Sequence, residues 1–134
     1  MATPNVLFVC LHGSAKSLIA AEHFRRLATE RGVKVEAASA GTEADREIPP
    51  KVVQGLLADG IDVRGRRPHQ LTRDDVANAS HVVTFACDLS DAVPAGLPLD
   101  RWDDVPAVSE DFARARDAIV ARLSRLLDEC ATSP

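Results

Sequence analysis

The sequence predicts an α/β domain in which helices cover both faces of a parallel sheet. Short apolar runs rich in β-branched residues alternate along the chain with amphipathic stretches, and this alternation is typical of strands joined by crossover helices. A chain of 134 residues is large enough for one domain, 1–134, with a single core. The sequence contains no internal repeat, low-complexity segment or linker that would suggest a further division.

The first half of the chain contains two predicted strands and two predicted helices. The first strand is a nearly continuous apolar run, which is typical of a strand buried on both faces. A glycine follows the first helix, and a proline opens the second, in the positions where these residues commonly end and begin helices. The predicted elements are a strand at Asn5–Val9, a helix from Ser17 to Gly32, a strand at Val33–Gly41 and a helix from Pro50 to Gly60.

The second half of the chain continues the same alternation. Thr72 and Asp75 have the spacing of a capping box, which predicts a short helix after Thr72. The clearest strand is Ser80–Cys87, and the segment GLPLDRW has the pattern of a short fourth strand. A long helix is predicted from Ser109, with one apolar stripe formed by Phe112, Ala115, Ile119, Leu123 and Leu126.

Composition and charge argue against several classes of protein. A net charge of −4 disfavours a general binder of nucleic acid or of anionic membranes. No apolar run reaches the length of a membrane span, and the N-terminal residues lack the features of a signal peptide. Cys10, Cys87 and Cys130 are odd in number and lack the spacing of a zinc site or a disulfide framework. We therefore expect a cytoplasmic protein with reduced cysteines, no metal and no cofactor.

The segment CLHGSAKS, residues 10–17, connects the first predicted strand to the first predicted helix. Backbone N–H groups at the start of a helix lack intrahelical partners and can converge on an anion. Gly13 permits the positive φ that a tight anion-binding loop needs, and Lys16 adds a full positive charge. The segment therefore predicts an oxyanion site at the carboxyl edge of the sheet.

Cys10 has two interpretations at the base of this loop. Exposed amides, the helix end and Lys16 would favour its thiolate, and a thiolate that faces a bound oxyanion is a nucleophile facing an electrophile. In the alternative interpretation, Cys10 is a small buried hydrophobic residue at the end of a strand. The loop matches neither the GxxxxGK[ST] nucleotide-binding motif nor the GxGxxG fingerprint.

Five motifs occur in order along the chain: VLFVC-x5-K-S, AAEHF, SAGT, GIDV and HQLT. In these motifs the sequence resembles the low-molecular-weight protein tyrosine phosphatase family and its arsenate reductase branch. The resemblance implies a single-domain, three-layer, flavodoxin-like fold with a four-stranded parallel sheet. It also implies that Cys10 attacks phosphorus or arsenic, that Ser17 stabilises its thiolate, and that Lys16 clamps the anion. The anion-binding residues implied in this way are Leu11, His12, Gly13, Ser14, Ala15, Lys16 and Ser17.

The sequence departs from the family pattern in three places. Lys16 stands where the family has arginine, and it offers one compact charge instead of a planar fork. The family's Asp-Pro general acid is replaced by the segment RWDDVPAVSEDF, in which Asp104 and Asp103 are the nearest candidates. The cysteine relay of thioredoxin-coupled arsenate reductases is incomplete, since Cys87 falls one residue from the aligned position. The predicted catalytic set is Cys10, Lys16, Ser17 and Asp104, with Asp103 as the other candidate acid.

Four further features each have two interpretations. Cys87 either pairs with Cys10 in a disulfide or is a buried thiol without a redox role. His12 is either a cation beside Cys10 or a neutral side chain that faces solvent. Trp102 either belongs to the core or forms an aromatic wall beside the site. The basic run either guides a phosphorylated partner or is solvated surface; its members are Arg64, Arg66, Arg67 and His69.

The sequence thus predicts a cysteine-dependent phosphatase that hydrolyses phosphomonoesters through a cysteinyl-phosphate intermediate. The expected substrates are a phosphorylated protein or a small phosphomonoester, and the loop would also accept free phosphate or arsenate. One alternative is an arsenate reductase that takes its electrons from an external thiol. The other is a catalytically weak relative that binds phosphate or a phosphoprotein. None of these functions involves a nucleic-acid or membrane partner.

Overall fold

The structure is a computed structural model that describes residues 3–89 and 91–132. Strands and helices alternate over most of its length, as the sequence predicts. The strands are β1 (Asn5–Cys10), β2 (Glu36–Gly41), β3 (His81–Thr84) and β4 (Leu99–Arg101), and the helices are α1 (Lys16–Arg31), α2 (Pro50–Ala58), α3 (Arg73–Ala77) and α4 (Phe112–Thr132).

The four strands form one parallel sheet in the order β2-β1-β3-β4. Cys10 at the end of β1 is in register with Gly41 at the end of β2, and Thr84 ends β3 beside Val9 and Arg101. All four carboxyl ends therefore meet at one edge of the sheet. This confirms the predicted four-stranded parallel sheet and places the loop after β1 at that edge.

Helices cover both faces of the sheet, and the side chains of β1 alternate between two cores. Val6 and Phe8 pack among the apolar residues of α1, α2 and α4. Leu7 and Val9 point the other way and pack with Val76 of α3. Every side chain of β1 after Asn5 is therefore buried, which explains why its sequence is a continuous apolar run and not an alternating one.

The second strand begins later than the sequence predicts. The Val33 N–H donates to the carbonyl of Ala28 at 2.9 Å, so its backbone bonds the last turn of α1 and not β1. The first cross-strand bond is donated by the Glu36 N–H to the carbonyl of Pro4, just before β1. The predicted strand Val33–Gly41 is therefore too long at its start, because β1 offers no earlier partner.

The third strand ends earlier than the predicted Ser80–Cys87. The Phe85 N–H still donates to the carbonyl of Val9 at 2.9 Å, but Ala86 has a φ of 56°. A left-handed residue turns the chain away from the strand direction. Apolar residues continue beyond this turn because they fill the core and not because they extend the sheet.

The last helix begins at Phe112 instead of the predicted Ser109. The Asp111 carboxylate accepts a hydrogen bond from the Arg114 N–H at 3.0 Å, which places Asp111 as the capping residue. Residues 107–110 form a separate turn before it. Although α4 is the longest helix in the described ranges, neither it nor any other helix there is long and apolar enough to cross a membrane.

Three local signals for helix ends are confirmed. Gly32 follows α1 with a φ of 66°, and its N–H bonds the last turn of the helix. Pro50 is the first residue of α2. Thr72 and Asp75 form both hydrogen bonds of the capping box that begins α3. These signals could be predicted because each depends on residues within one helical turn.

Candidate active site

Cys10 ends β1, and its side chain lies at the base of the loop that leads to α1. The Gly13 N–H donates to Cys10 Sγ at 3.2 Å, and Ser17 Oγ lies 3.0 Å from the same sulfur. Cys10 and Ser17 are both buried. Hydrogen-bond donors at these distances orient the sulfur and stabilise negative charge on it. The structure therefore brings together Cys10 and the serine that the sequence assigns to it.

The loop turns its carbonyl groups away from Cys10. The carbonyls of Cys10, Leu11 and His12 accept hydrogen bonds from the N–H groups of residues 42, 43 and 45, which follow β2. In a trans peptide, the N–H of the next residue points opposite to the carbonyl. The N–H groups of residues 11–13 therefore point toward the inside of the loop, and the one at Gly13 reaches the sulfur.

The start of α1 adds further unpaired amides to this loop. Its N-cap residue is Ala15, which makes no side-chain capping bond, and no acidic residue occupies the first turn. The first N–H groups of a helix have no partner within the helix. An anion is favoured there by both the amides and the helix dipole.

The Lys16 ammonium is hydrogen-bonded to the loop that follows β4. Its Nζ donates to the carbonyl of Val105 at 2.9 Å, so it connects the first turn of α1 to the loop after β4. Val105 is buried. The residue that the resemblance assigns as an anion clamp is thus also a contact between the two loops that flank the site.

Asp45 is a site residue that the sequence analysis missed. Its carboxylate accepts a hydrogen bond from Ser14 Oγ at 2.8 Å and lies 3.3 Å from His12 Nδ1. It therefore contacts two side chains of the loop formed by residues 10–17, the anion loop, and the His12 imidazole is exposed. No local pattern marks Asp45, because it lies in a polar loop remote in sequence from the residues it contacts.

The two candidate acids have different surroundings. Asp104 is 76% exposed and accepts two hydrogen bonds from Arg122 Nη2, both at 2.7 Å. The Arg122 guanidinium lowers the pKa of Asp104, which keeps this carboxyl ionised. Asp103 accepts a hydrogen bond from the Ala86 N–H at 2.9 Å, at the carboxyl edge of β3, and its Oδ2 lies 3.1 Å from Arg101 Nη2.

The structure places Cys87 at the same edge as Cys10. Its Sγ donates to the carbonyl of Val9, which directly precedes Cys10, at 3.5 Å. Burial is the main cause that raises the pKa of the Cys87 thiol, and the neighbouring Cys10 and Asp103 raise it further. The three cysteines are free thiols, and Cys130 is buried at the far end of α4.

Trp102 is a core residue. Its indole packs edge-on against Phe85, with ring centroids 5.7 Å apart, and lies 6.2 Å from the ring of Phe8. The Arg122 guanidinium covers its outer face at 5.6 Å. These contacts support the core interpretation over an aromatic wall beside the site.

Most of the basic run is paired with acidic residues of the fold. Arg64 forms an ion pair with Asp62 at 2.8 Å, and Arg66 forms one with the buried Glu22 of α1. The remaining pair is His69 Nε2 with Asp75 Oδ2, at 2.8 Å. These contacts favour the interpretation of the run as surface structure, because its charges are already balanced.

The matching family model describes low molecular weight phosphotyrosine protein phosphatases and spans residues 5–101, which include β1, the anion loop and the whole sheet. The chain belongs to this family. A Halobacterium salinarum protein named "Putative arsenate reductase" is 24% identical over 127 residues, covering 91% of this chain and 89% of that protein.

Solved structures with the same fold include members named for different activities. A low molecular weight phosphotyrosine phosphatase from Vibrio cholerae O395 is 24% identical, with a TM-score of 0.79 over 94% of this chain and 95% of that one. The thioredoxin-dependent arsenate reductase Cg_ArsC1' from Corynebacterium glutamicum is 27% identical, with a TM-score of 0.75 over 96% of this chain and 62% of that one. The family and fold implied by the sequence motifs are confirmed, while the similar proteins include some named as phosphatases and some named as arsenate reductases.

Proposed function

We propose that the protein is a cysteine-dependent phosphatase that hydrolyses phosphomonoesters through a cysteinyl-phosphate on Cys10. The observation that carries this proposal is the pair of contacts to Cys10 Sγ, from the Gly13 N–H at 3.2 Å and from Ser17 Oγ at 3.0 Å. Membership of a phosphatase family supports it. The substrate would be a phosphorylated protein or a small phosphomonoester, bound by the single domain 1–134.

In the first step, the Cys10 thiolate attacks phosphorus opposite the leaving oxygen. The S–P bond forms as the P–O bond breaks, and a carboxylic acid protonates the leaving oxygen. The inward N–H groups of residues 11–13 and the first amides of α1 stabilise the charge on the phosphoryl oxygens. In the second step, water attacks phosphorus, the S–P bond breaks, and the carboxylate takes the proton from the water.

The contacts of the two acid candidates favour Asp103 over Asp104 as the proton donor. Both carboxylates are paired with an arginine, Asp104 with Arg122 and Asp103 with Arg101, so the preference depends on position. Asp103 contacts Ala86, beside the residue that approaches Val9 and Cys10.

The nucleophile is tested with Cys10→Ser against an aryl phosphate. A serine hydroxyl at neutral pH is a far weaker nucleophile than a thiolate, so we expect hydrolysis to fall to background. Cys87→Ser is the matched control, since it removes a thiol at the same edge and leaves the proposed mechanism intact. Wild-type activity in Cys10→Ser would contradict the proposal.

The acid is tested by comparing Asp103→Asn with Asp104→Asn on two aryl phosphates, one with a good and one with a poor leaving group. Loss of a general acid typically costs roughly 10²–10⁴-fold in rate, and the cost is greatest when the leaving oxygen needs the proton. We expect this selective loss in Asp103→Asn only. The same loss in Asp104→Asn alone would assign the role to Asp104.

Arsenate reduction with an external thiol is a second candidate, favoured by the two similar proteins that carry this name. The Cys10 thiolate would form an S–As bond to arsenic(V) as one As–O bond breaks and that oxygen leaves as water, and an external thiol would then attack Cys10 Sγ. Arsenite would leave with the electron pair, and a second thiol would reduce the mixed disulfide. Arsenate-dependent consumption of a thiol by Cys87→Ser, but not by Cys10→Ser, would support this route.

A binding protein with little turnover is favoured by one observation, the bond from Lys16 Nζ to the Val105 carbonyl. A lysine held there offers less to a transition state than the arginine of the family. Measuring kcat for the Lys16→Arg variant distinguishes a binding protein from a working enzyme. If Lys16→Arg raised kcat from background to a measurable rate, the native chain would be a binding protein. If Lys16→Arg lowered kcat, Lys16 would be the residue adapted to catalysis in this chain.

A further inference from the structure

A cluster of potential metal ligands lies outside the candidate active site. It consists of His81 at the start of β3, Asp100 in β4 and Glu129 in the last part of α4. One imidazole nitrogen and one oxygen from each carboxylate all lie within 4.8 Å of one another. Three elements of the fold thus direct one potential ligand each toward a common point.

The packing of the sheet against α4 creates this cluster. Val83, two residues after His81, belongs to the core under α4, so His81 lies on the same face of β3. Asp100 is in register with Val83 and faces the same way on the edge strand β4. Glu129 lies on α4, which packs on this face of the sheet, and the neighbouring Cys130 is buried in the core.

The contacts within the cluster are compatible with a cation. His81 Nε2 lies 2.8 Å from Asp100 Oδ2, and His81 is buried, which limits the freedom of its imidazole. Glu129 is 49% exposed, and its Oε1 lies 3.5 Å from Arg125 Nε. Because Arg125 is 89% exposed, its side chain can move aside at little cost.

The cluster is separate from the anion loop. His81 is in register with Val6, whereas Cys10 lies four residues further along β1. Four residues of a strand span about 13 Å. A cation at His81 would therefore not touch the proposed nucleophile. Asp100 and Glu129 also line a cleft together with Arg101, Arg122 and Arg125.

We propose that His81, Asp100 and Glu129 bind a divalent transition-metal ion of the zinc class. Imidazole nitrogen and carboxylate oxygen together suit Zn²⁺, Co²⁺ and Mn²⁺, and three protein ligands leave room for water. The ion would also relieve the repulsion between the two carboxylates. It would join β3, β4 and α4 and so stabilise the edge of the sheet.

The proposal is tested by titrating the full-length, chelator-treated protein with Zn²⁺ by calorimetry and with Co²⁺ by visible absorption. We expect one equivalent of either ion to bind, with Co²⁺ bands typical of nitrogen and oxygen ligands. Zn²⁺ should also raise the melting temperature. Glu129→Gln keeps the shape of the side chain and should weaken binding roughly tenfold or more, as should His81→Ala.

Two controls separate this cluster from other sites. His69→Ala removes a histidine that also lies 2.8 Å from an aspartate, but it should leave binding unchanged. Cys10→Ser removes the thiol of the anion loop and should likewise leave it unchanged. The proposal fails if no equivalent binds, if Glu129→Gln binds as tightly as the wild type, or if Cys10→Ser abolishes binding. Circular dichroism confirms that each variant is folded.

Discussion

Two glycines determine how closely the anion loop approaches the end of β2. Gly13 has a φ of +64°, and a Cβ built on it would lie 2.5 Å from the backbone nitrogen of Gly41. A Cβ on Gly41 would meet the nitrogen of Gly13 at the same distance. Backbone therefore packs directly on backbone there, and this contact positions the Gly13 N–H that bonds Cys10.

We predict that Gly13→Ala lowers the free energy of unfolding by about 3 kcal/mol or more, since it combines a left-handed φ with a backbone clash. Gly32→Ala is the matched control, because Gly32 has a φ of +66° with nothing within 4 Å of a Cβ. Its cost should be about 1–2 kcal/mol, from the left-handed conformation alone. If urea unfolding showed the same loss in free energy of unfolding for both variants, the close approach of Gly13 to Gly41 would be contradicted.

The three cysteines should differ in reactivity. Burial raises the pKa of the Cys87 and Cys130 thiols, so both are mostly protonated at neutral pH. The Cys10 sulfur instead accepts a hydrogen bond from the Gly13 N–H and contacts the Ser17 hydroxyl.

We predict that iodoacetamide at pH 7 labels Cys10 roughly tenfold faster than Cys87 or Cys130. Phosphate should slow the labelling of Cys10 alone, because it would occupy the loop above the sulfur. Mass spectrometry of peptides measures each site. If Cys130 were labelled faster than Cys10, this would indicate that α4 opens. It would also indicate that the contacts to the Cys10 sulfur do not activate the Cys10 thiol.

At the level of the helices, Asp59 joins three elements through one carboxylate. It follows α2 directly, and its oxygens lie 3.2 Å from His23 Nε2 of α1 and 2.7 Å from Arg116 Nη1 of α4. Arg26 also donates to the Asp59 carbonyl. Burial is the main cause that lowers the pKa of His23, and the Arg26 charge lowers it further.

This arrangement predicts a dependence of stability on pH. In the unfolded chain, a histidine titrates near pH 6.5, whereas His23 in the folded chain protonates at lower pH. Between these two pKa values the unfolded state binds more protons, so the free energy of unfolding falls as the pH falls below about 6.5. Below the folded pKa this contribution levels off.

His23→Gln should remove that contribution and keep a hydrogen bond to Asp59. We expect the free energy of unfolding of the variant to change less between pH 8 and pH 5 than that of the wild type. Urea unfolding at a series of pH values measures the difference. Parallel curves for the two proteins would show that His23 does not couple folding to protonation.

At the scale of the whole molecule, the proposed anion site is assembled from parts remote in sequence. β1 and α1 supply the sulfur and the amides, residues 42–45 bind the outer side of the loop, and Lys16 reaches Val105 beyond β4. An oxyanion that binds only this assembled site stabilises the folded state by mass action.

We predict that phosphate and arsenate raise the melting temperature, and that sodium chloride at equal ionic strength does not. Cys10→Ser should keep the effect, since the amides bind the anion without the thiolate. Lys16→Met should reduce it, because a positive charge near the site is lost. Equal shifts with chloride would mean that the anion acts on the protein surface in general.

The sequence by itself determined the class of fold, the order of the elements and the position of Cys10. Buried strands, helix periodicity and end signals such as the Thr72–Asp75 capping box all depend on neighbouring residues, so they can be read locally. The errors at Val33, Cys87 and Ser109 are boundary errors, because a boundary depends on which partner strand or turn is available.

Only the tertiary structure decided what lies around the sulfur. Asp45 behind the loop, Val105 as the partner of Lys16 and the difference between Asp103 and Asp104 all involve contacts between distant segments. The cluster of His81, Asp100 and Glu129 is of the same kind. Such contacts depend on how the strands and helices pack, and packing has no period along the chain from which they could be predicted.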